Sequence, residues 1–368
     1  MHIKVKKQNL TDALSKIQGV IEKRSAIQIL NHFLLSVNKG QAIIHATDNE
    51  TAIKVPLEEV EIFSEGETCV PAKTFHEIVK ELNDDIELKL VEKRLNIQSG
   101  NSKFRLAVLD AEDFPKWMEI DGIDIISFPR DSLLKAIKKT AYAIGGYDTR
   151  YILNGLMVEA KKGDIHFAAT DGHRLAHVKM PFGISDRQQM IFPQKFVNEF
   201  KKLLDDSEEE YVEIRFGSNS NVVQFVLGEL KFQTRLIQGN YPDYEAVIPR
   251  DNDKIAIIDK QSFLSSIKRV AIISKESNYV VVTTWQGNSL TIVAQDPELG
   301  EAKDIIEIDY KGEPITIGFN AEYMMDAVEG VSSEKIKITM SEPEKAIYIT
   351  DTESNNFLYE SVVMPVRL

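Results

Sequence analysis

The sequence predicts an α+β chain in which one unit of helices and antiparallel strands is built three times, and two periodic features carry that prediction. An Asp-containing turn recurs as Ala46-Thr47-Asp48-Asn49-Glu50, Ala169-Thr170-Asp171-Gly172-His173 and Ala294-Gln295-Asp296-Pro297-Glu298, at intervals of 123 and then 125 residues. Each copy follows an alternating apolar run, at 42–45, 164–167 and 289–292, as a strand entering a turn does. At the same interval an apolar stripe opens each third: Leu10, Ala13, Leu14 and Ile17, then Leu133, Ala136 and Ile137, then Phe263, Ser266 and Ile267. The i, i+3, i+4 spacing is that of a helix with one buried face.

The remaining elements follow in order. A second helix in each third starts after Pro71-Ala72-Lys73-Thr74-Phe75, Pro193-Gln194-Lys195-Phe196 and Asn320-Ala321-Glu322-Tyr323, since Pro or Asn before a helical run is a start signal. Closing strands align at 104–108, 232–236 and 357–361, and β-branched runs such as 280–284 and 336–340 lie between the landmarks. Period-2 alternation marks these runs as strands. The predicted division is 1–125, 126–250 and 251–368, each unit near the usual domain size.

Composition narrows the class. With 368 residues and 43% apolar content the chain can bury several cores, and it contains no apolar run of the length a membrane helix needs. The start, Met1-His2-Ile3-Lys4-Val5-Lys6-Lys7, lacks the pattern of a secretory signal. One cysteine, Cys69, fits a reducing compartment, so the expectation is a cytoplasmic protein with no membrane partner. Cys69 beside Val70 reads as a small core residue. The acidic run at 205–210 reads as a solvated helix exit or loop.

Catalytic chemistry is nearly absent. There is no Gly-rich phosphate loop, no dinucleotide fingerprint and no Gly-x-Ser-x-Gly elbow. His166, His173 and His177 are the best metal candidates, but the last two straddle a turn and a strand, where residues four apart are separated by roughly 13 Å in an extended chain. Structural histidines are the simpler reading, and no cofactor is expected. The middle turn continues as Arg174-Leu175-Ala176-His177. Asp-Gly alone is a turn signal, but the two residues after it are expected to be exposed for another purpose. The chain ends on an apolar segment, Val362-Val363-Met364-Pro365-Val366-Arg367-Leu368, either a packed last strand or a surface for a partner.

Taken together and in order, these features resemble one family, the bacterial β sliding clamp of DNA polymerase III. The resemblance spans the chain: Thr170-Asp171-Gly172-His173-Arg174-Leu175-Ala176, Leu153-Asn154-Gly155, Tyr241-Pro242-Asp243-Tyr244 with Val247-Ile248-Pro249, and the final Val363-Met364-Pro365-Val366-Arg367-Leu368. It implies three clamp domains, each of two helices on antiparallel sheets, and a head-to-tail homodimer forming a ring around double-stranded DNA. It implies a non-catalytic processivity factor that binds the DNA polymerase III catalytic subunit, the clamp loader and other proteins carrying a clamp-binding motif.

The resemblance also places sites. The partner-peptide pocket maps to Leu153, Gly155, Thr170, Gly172, His173, Arg174 and Leu175 in the middle third. It continues through Pro242, Val247, Asn320 and Tyr323, and ends on Val362, Val363, Met364, Pro365, Val366 and Arg367. At Ala246 several relatives carry a basic residue, so one polar contact with partners is expected to be missing. The dimer contact maps to Phe104 and Leu106 on one side and Ile272 and Ile273 on the other; burial within their own domain is the alternative. Net charge is −13, yet the six predicted helical segments together carry +5, a modestly basic lining inside an acidic shell. The last helix, at −3, runs against that trend. Candidate phosphate contacts are Lys23, Arg24, Lys138, Lys139, Arg150, Lys201, Lys202, Lys268 and Arg269, with Arg24 and Arg150 on segments matching the clamp's DNA-facing loops. Two other classes stay open at this stage. A DNA-modifying enzyme would need a metal cluster or nucleophile, and a repeat scaffold that binds only proteins would stay off DNA.

Overall fold

The structure, a computed structural model, describes residues 1–22, 26–120, 123–146, 150–183, 187–217, 220–275, 279–353 and 356–368. The first third runs β1 (His2–Val5), α1 (Lys7–Ile17), β2 (His32–Asn38), β3 (Gln41–Thr47), β4 (Thr51–Pro56), β5 (Val60–Ser64) and β6 (Gly66–Pro71). It closes with α2 (Ala72–Glu81), β7 (Ile86–Val91), β8 (Arg94–Ser99) and β9 (Ser102–Ala107). Among the described residues the middle third repeats the order with one strand fewer between its helices, as β10 (Ile123–Pro129), α3 (Arg130–Thr140), β11 (Gly155–Lys161), β12 (Asp164–Thr170), β13 (Arg174–Pro181), β14 (Arg187–Pro193), α4 (Gln194–Asp205), β15 (Tyr211–Gly217), β16 (Val222–Leu227) and β17 (Leu230–Arg235). The last third is β18 (Lys254–Asp259), α5 (Lys260–Val270), β19 (Val280–Gln286), β20 (Ser289–Asp296), β21 (Gly300–Glu307), β22 (Asp309–Lys311) and β23 (Ile315–Asn320). It ends with α6 (Ala321–Glu329), β24 (Lys335–Met340), β25 (Ile347–Asp351) and β26 (Leu358–Val363).

Local chemistry explains the repeats. The recurring Asp holds each turn by accepting backbone N–H bonds two and three residues on: Asp48 from Glu50 and Thr51, Asp171 from His173 and Arg174, Asp296 from Glu298 and Leu299. A short side-chain acceptor replaces a backbone partner in such turns, which is why Asp stands there three times. The helix stripes are buried as expected, with Leu10, Ala13, Leu14 and Ile17 all at 3% exposure or less. Asn320 caps α6 by accepting from the Tyr323 N–H, as Asp259 caps α5 from Ser262. The first helix of each third contains its whole apolar stripe, α1 ending at Ile17, α3 at Thr140 and α5 at Val270.

Strand pairing reorganises the thirds. The chain forms two compact units, one of Met1–Leu134 with Asn198–Leu236 and the other of Lys135–Val197 with Ile237–Leu368. The first holds a five-stranded sheet, β5-β1-β7-β8-β9, and an eight-stranded sheet, β10-β15-β16-β17-β4-β3-β2-β6. The second holds a nine-stranded sheet, β14-β11-β12-β13-β26-β25-β24-β18-β22, and a four-stranded sheet, β21-β20-β19-β23. The middle third is thus divided, because one of its sheets continues into strands of the first third and the other into strands of the last.

The two seams have the same register. At one, Ile53 of β4 stands opposite Phe232 of β17; at the other, Ala176 of β13 stands opposite Ser361 of β26. Phe232 and Ser361 are equivalent by their pairing with Phe225 and Ile349, and Phe104 is equivalent to both through Ile97. The sequence alignment of the closing strands therefore holds for the first two thirds and is four residues out in the last, where a longer loop precedes β26. The third Asp turn is also one residue longer: Thr47 faces Ala52 and Thr170 faces Leu175, whereas Gln295 faces Glu301.

Candidate functional site

Within the second unit, the strands that meet at the β13–β26 seam gather most of the predicted pocket residues. Leu153, Leu175 and Val362 lie in one buried apolar cluster with Met157, Ala168, Ile191, Tyr241, Tyr244 and Ile248. Each fully buried large side chain there contributes roughly 1.5–3 kcal/mol. Gly155 is fixed by crowding, since a Cβ would lie 2.7 Å from Ile191 and 2.8 Å from the Phe192 carbonyl. Around this floor Pro242 and Met364 are exposed, as is Val247 at 56%. Tyr241 ties the linker down, its hydroxyl accepting from the Thr170 N–H at 3.0 Å. Leu153, Leu175 and Val362 are thus floor and not freely exposed anchors.

The expectation that Arg174 and Leu175 are exposed is overturned. Leu175 is 2% exposed, and the Arg174 side chain 13%. Arg174 Nε donates to Asp171 at 3.0 Å and Nη1 to Asp326 at 2.5 Å. Its guanidinium also lies 4.3 Å from the Tyr323 ring and 5.3 Å from the Tyr142 ring, a geometry that favours a cation. Burial lowers its proton affinity, but Asp326 and Asp171 outweigh burial and raise it. A planar fork with five donors suits such a site. The consequence is that Arg174 of β13 braces that strand against α6.

Two exposed features complete the rim. Gly172 has φ +88°, and a Cβ there would stand 2.7 Å from an Arg150 guanidinium nitrogen, which also donates to the Asp171 carbonyl at 3.2 Å. Arg150, carried over as a DNA contact, is therefore seated on the pocket turn. His173 is exposed and stacks on Tyr323 at 6.4 Å. The last residues lace the rim together: Met364 N donates to the His173 carbonyl and Val366 N to the Gly318 carbonyl. Val363 is buried in β26, Pro365 and Val366 are half-buried, and Arg367 is exposed.

Behind the floor lies a polar network that sequence spacing concealed. His166 and His177, on neighbouring strands β12 and β13, approach to 3.1 Å between Nδ1 and Nε2. His177 Nδ1 donates to Glu360 at 2.9 Å; Tyr348 and Arg250 donate to the other carboxylate oxygen. Burial pushes His166 down to about 4. Burial alone would raise Glu360, but donors from His177, Arg250 and Tyr348 outweigh it and hold the carboxyl at about 2. His173 takes no part, so the three histidines do not converge.

The basic candidates separate. Lys23 and Arg24 lie outside the described residues. Lys138 and Lys202 are exposed, and Lys201 is half-buried. Lys202 pairs with Glu199, Lys268 with Glu329, and Arg269 with Asp304. Lys139 is corrected: it is 8% exposed, and its ammonium donates to the Gly330 carbonyl and to Ser332, away from any phosphate in solvent. Burial pushes it down to about 8. At the proposed dimer contact, Phe104 is 40% and Ile272 59% exposed, while Leu106 and Ile273 are half-buried. These residues do not fill a core of the chain, and Ile305 on β21, 57% exposed, joins them.

Comparison with known proteins gives one answer along the whole chain. Models of the DNA polymerase III beta subunit match at residues 1–118 for the N-terminal domain, 127–243 for the central domain and 245–367 for the C-terminal domain. The beta sliding clamp of Pseudomonas putida is 32% identical over 372 residues, covering all of both chains. Sliding-clamp crystal structures from Bartonella birtlesii and Pseudomonas aeruginosa, both bound to griselimycin, superpose over the full length of each chain with TM-scores of 0.93 and 0.91 at 31% and 32% identity. The chain that carries these repeated Asp turns and like seams is thus a member of the DNA polymerase III beta subunit family, the beta sliding clamps.

Proposed function

We propose that this chain acts as a DNA sliding clamp: two copies close head to tail around duplex DNA, and the pocket of the second unit tethers the replicative polymerase, the clamp loader and other motif-bearing proteins. We divide it into clamp domains at 1–125, 126–250 and 251–368 and place its work in the cytoplasm. The observation that carries the reading is the shared register of the β4–β17 and β13–β26 seams. One further pairing of the same kind remains open, between β21 at the end of the four-stranded sheet and β9 at the end of the five-stranded sheet. A second copy supplies each strand with its partner, and closure removes both exposed edges. The same register sets Glu301 opposite Arg105 and Ala302 opposite Phe104, and Ile272 falls at the position of Tyr142, which is half-buried at the internal seam, its hydroxyl 2.9 Å from Ser361 of β26.

Exposed Lys138, Lys202 and Lys268 and half-buried Lys201 on the helices supply a few phosphate contacts, and the acidic remainder of the surface discourages other binding. Retention is then topological. The experiment loads the protein with its loader onto a nicked circular duplex and washes in salt that strips proteins held by phosphate contacts. The clamp stays on the circle and is lost after a single restriction cut. Equal retention on circular and linear DNA overturns the reading. Griselimycin, which the Bartonella birtlesii and Pseudomonas aeruginosa clamps bind, is on our proposal a ligand of this same pocket and serves as its probe.

A further inference from the structure

The C-terminal end of α6 is held by two lysines from outside the helix. α6 carries Glu322, Asp326 and Glu329 and no basic residue in its last turn, so the partial negative charge of its free carbonyls has no counterweight of its own. Lys260, at the start of α5, donates to the carbonyls of Glu329 and Val331. Lys139, in the last turn of α3, donates to the Gly330 carbonyl and to Ser332 at 2.8 Å, with its ammonium 4.7 Å from the Tyr359 ring. From there contacts run unbroken to the pocket. Tyr359 donates to the Ala327 carbonyl and meets the Tyr142 hydroxyl at 2.8 Å. The Tyr142 ring faces Arg174, which Asp326 and Tyr323 of α6 hold from the other side.

We infer that Lys139 is a positioning residue for the partner pocket: by fastening α3 to the end of α6 it fixes where Tyr323 and Asp326 stand, and so where Arg174 braces the pocket wall. The inference rests on the pocket reading above. A groove of about 360 Å³ lined by Lys138, Lys139, Tyr142, Asp326, Glu329 and Ser332 leads to the ammonium, so the site can exchange protons with solvent. The charges facing it are Lys135 on its own helix, Lys260 on α5, Asp351 at the end of β25, and Asp326 and Glu329 on α6; the titratable hydroxyls of Tyr142 and Tyr359 complete the surroundings. With burial holding Lys139 near 8, its charge on the helix end is lost in mildly alkaline solution, before either tyrosine ionises.

The test measures griselimycin binding to the full-length protein, wild type and Lys139→Met, at pH 7 and pH 9.5, together with thermal melting. Lys139→Met leaves the Gly330 carbonyl without its donor, which costs about 1–3 kcal/mol, so the variant should melt a few degrees below the wild type, stay folded at assay temperature, and bind at least fivefold more weakly at pH 7. Wild-type affinity should fall by a comparable factor between pH 7 and pH 9.5, the variant's should stay flat, and the fall should persist in Lys260→Met. Equal affinity of wild type and Lys139→Met, or the same pH profile in both, overturns the inference. So does a flat wild-type profile, which needs no variant to fold. Failure of the wild type to bind griselimycin at either pH instead overturns the pocket reading on which it rests.

Discussion

His177 and Glu360, 183 residues apart in the chain, share a hydrogen bond of 2.9 Å in the interior of the nine-stranded sheet. Since an ionised carboxylate only accepts, the imidazole Nδ1 must donate. Each pins a strand of a different third, and the carboxylate also receives Arg250 and Tyr348. A buried ion-pair network of this kind is costly to break from one side.

Acid should unfold the protein through this network. Glu360 at about 2 lies below its unfolded value, so its stabilisation is complete above pH 4.5 and lost as pH falls towards 2. With the side chain 3% exposed, that shift corresponds to about 3 kcal/mol. His166, held at about 4, works in the same direction: the unfolded chain takes up its proton below about pH 6.5 and the folded chain does not, so stability declines from pH 6.5 towards 4. Denaturant midpoints measured from pH 7 to pH 2.5 should fall throughout, and Glu360→Gln should be less stable at pH 7 with a shallower decline below pH 4.5. An unchanged slope in that variant removes Glu360 from the explanation.

The seam register makes a charge test of the dimer. Arg105→Glu sets two carboxylates opposite each other at both junctions of the ring; at about 1 kcal/mol per exposed pair the dissociation constant should rise at least tenfold. Adding Glu301→Arg should recover most of the loss. Sedimentation across a dilution series reads both steps. If the double variant is no tighter than Arg105→Glu alone, the two strands do not meet in this register.

Gly172→Ala should damage the pocket more than the fold. At φ +88° an alanine costs about 1 kcal/mol in backbone conformation, and its methyl would displace the Arg150 guanidinium 2.7 Å away. Gly40→Ala is the matched control, with φ +76° and nothing within 4 Å of the added carbon. Both variants should melt a few degrees low, whereas griselimycin affinity should fall only for Gly172→Ala. Equal affinity in the two would place Arg150 and its turn outside the binding surface.

Much of this was legible in the residues because it is local. The Asp turns, the helix stripes and the helix start at Asn320 are set by neighbours two to four residues away, and each stands where the pattern put it. The pairing of distant segments was not legible in the same way. His166 and His177 meet because a hairpin folds one strand onto the next, which linear spacing cannot express. Lys139 reads as one more solvated lysine on an amphipathic helix, since nothing near it in sequence announces a helix end 191 residues later. Arg174 misled for the same reason: its partners Tyr142, Tyr323 and Asp326 are contributed by other elements. Ile272 kept two readings until its exposure decided against a core within the chain.

Two of the three like seams are tethered, because a continuous backbone holds β4 near β17 and β13 near β26 whether or not their strands are paired. Those contacts re-form at an effective concentration fixed by the linkers and are indifferent to dilution. The third, the β21–β9 seam that we propose between two copies, has no such tether and obeys mass action. How long a closed ring survives is then set by the dissociation rate of that one contact, and substitutions at Arg105, Glu301 or Ile272 act as a timer on residence around DNA without altering the pocket that partners grip.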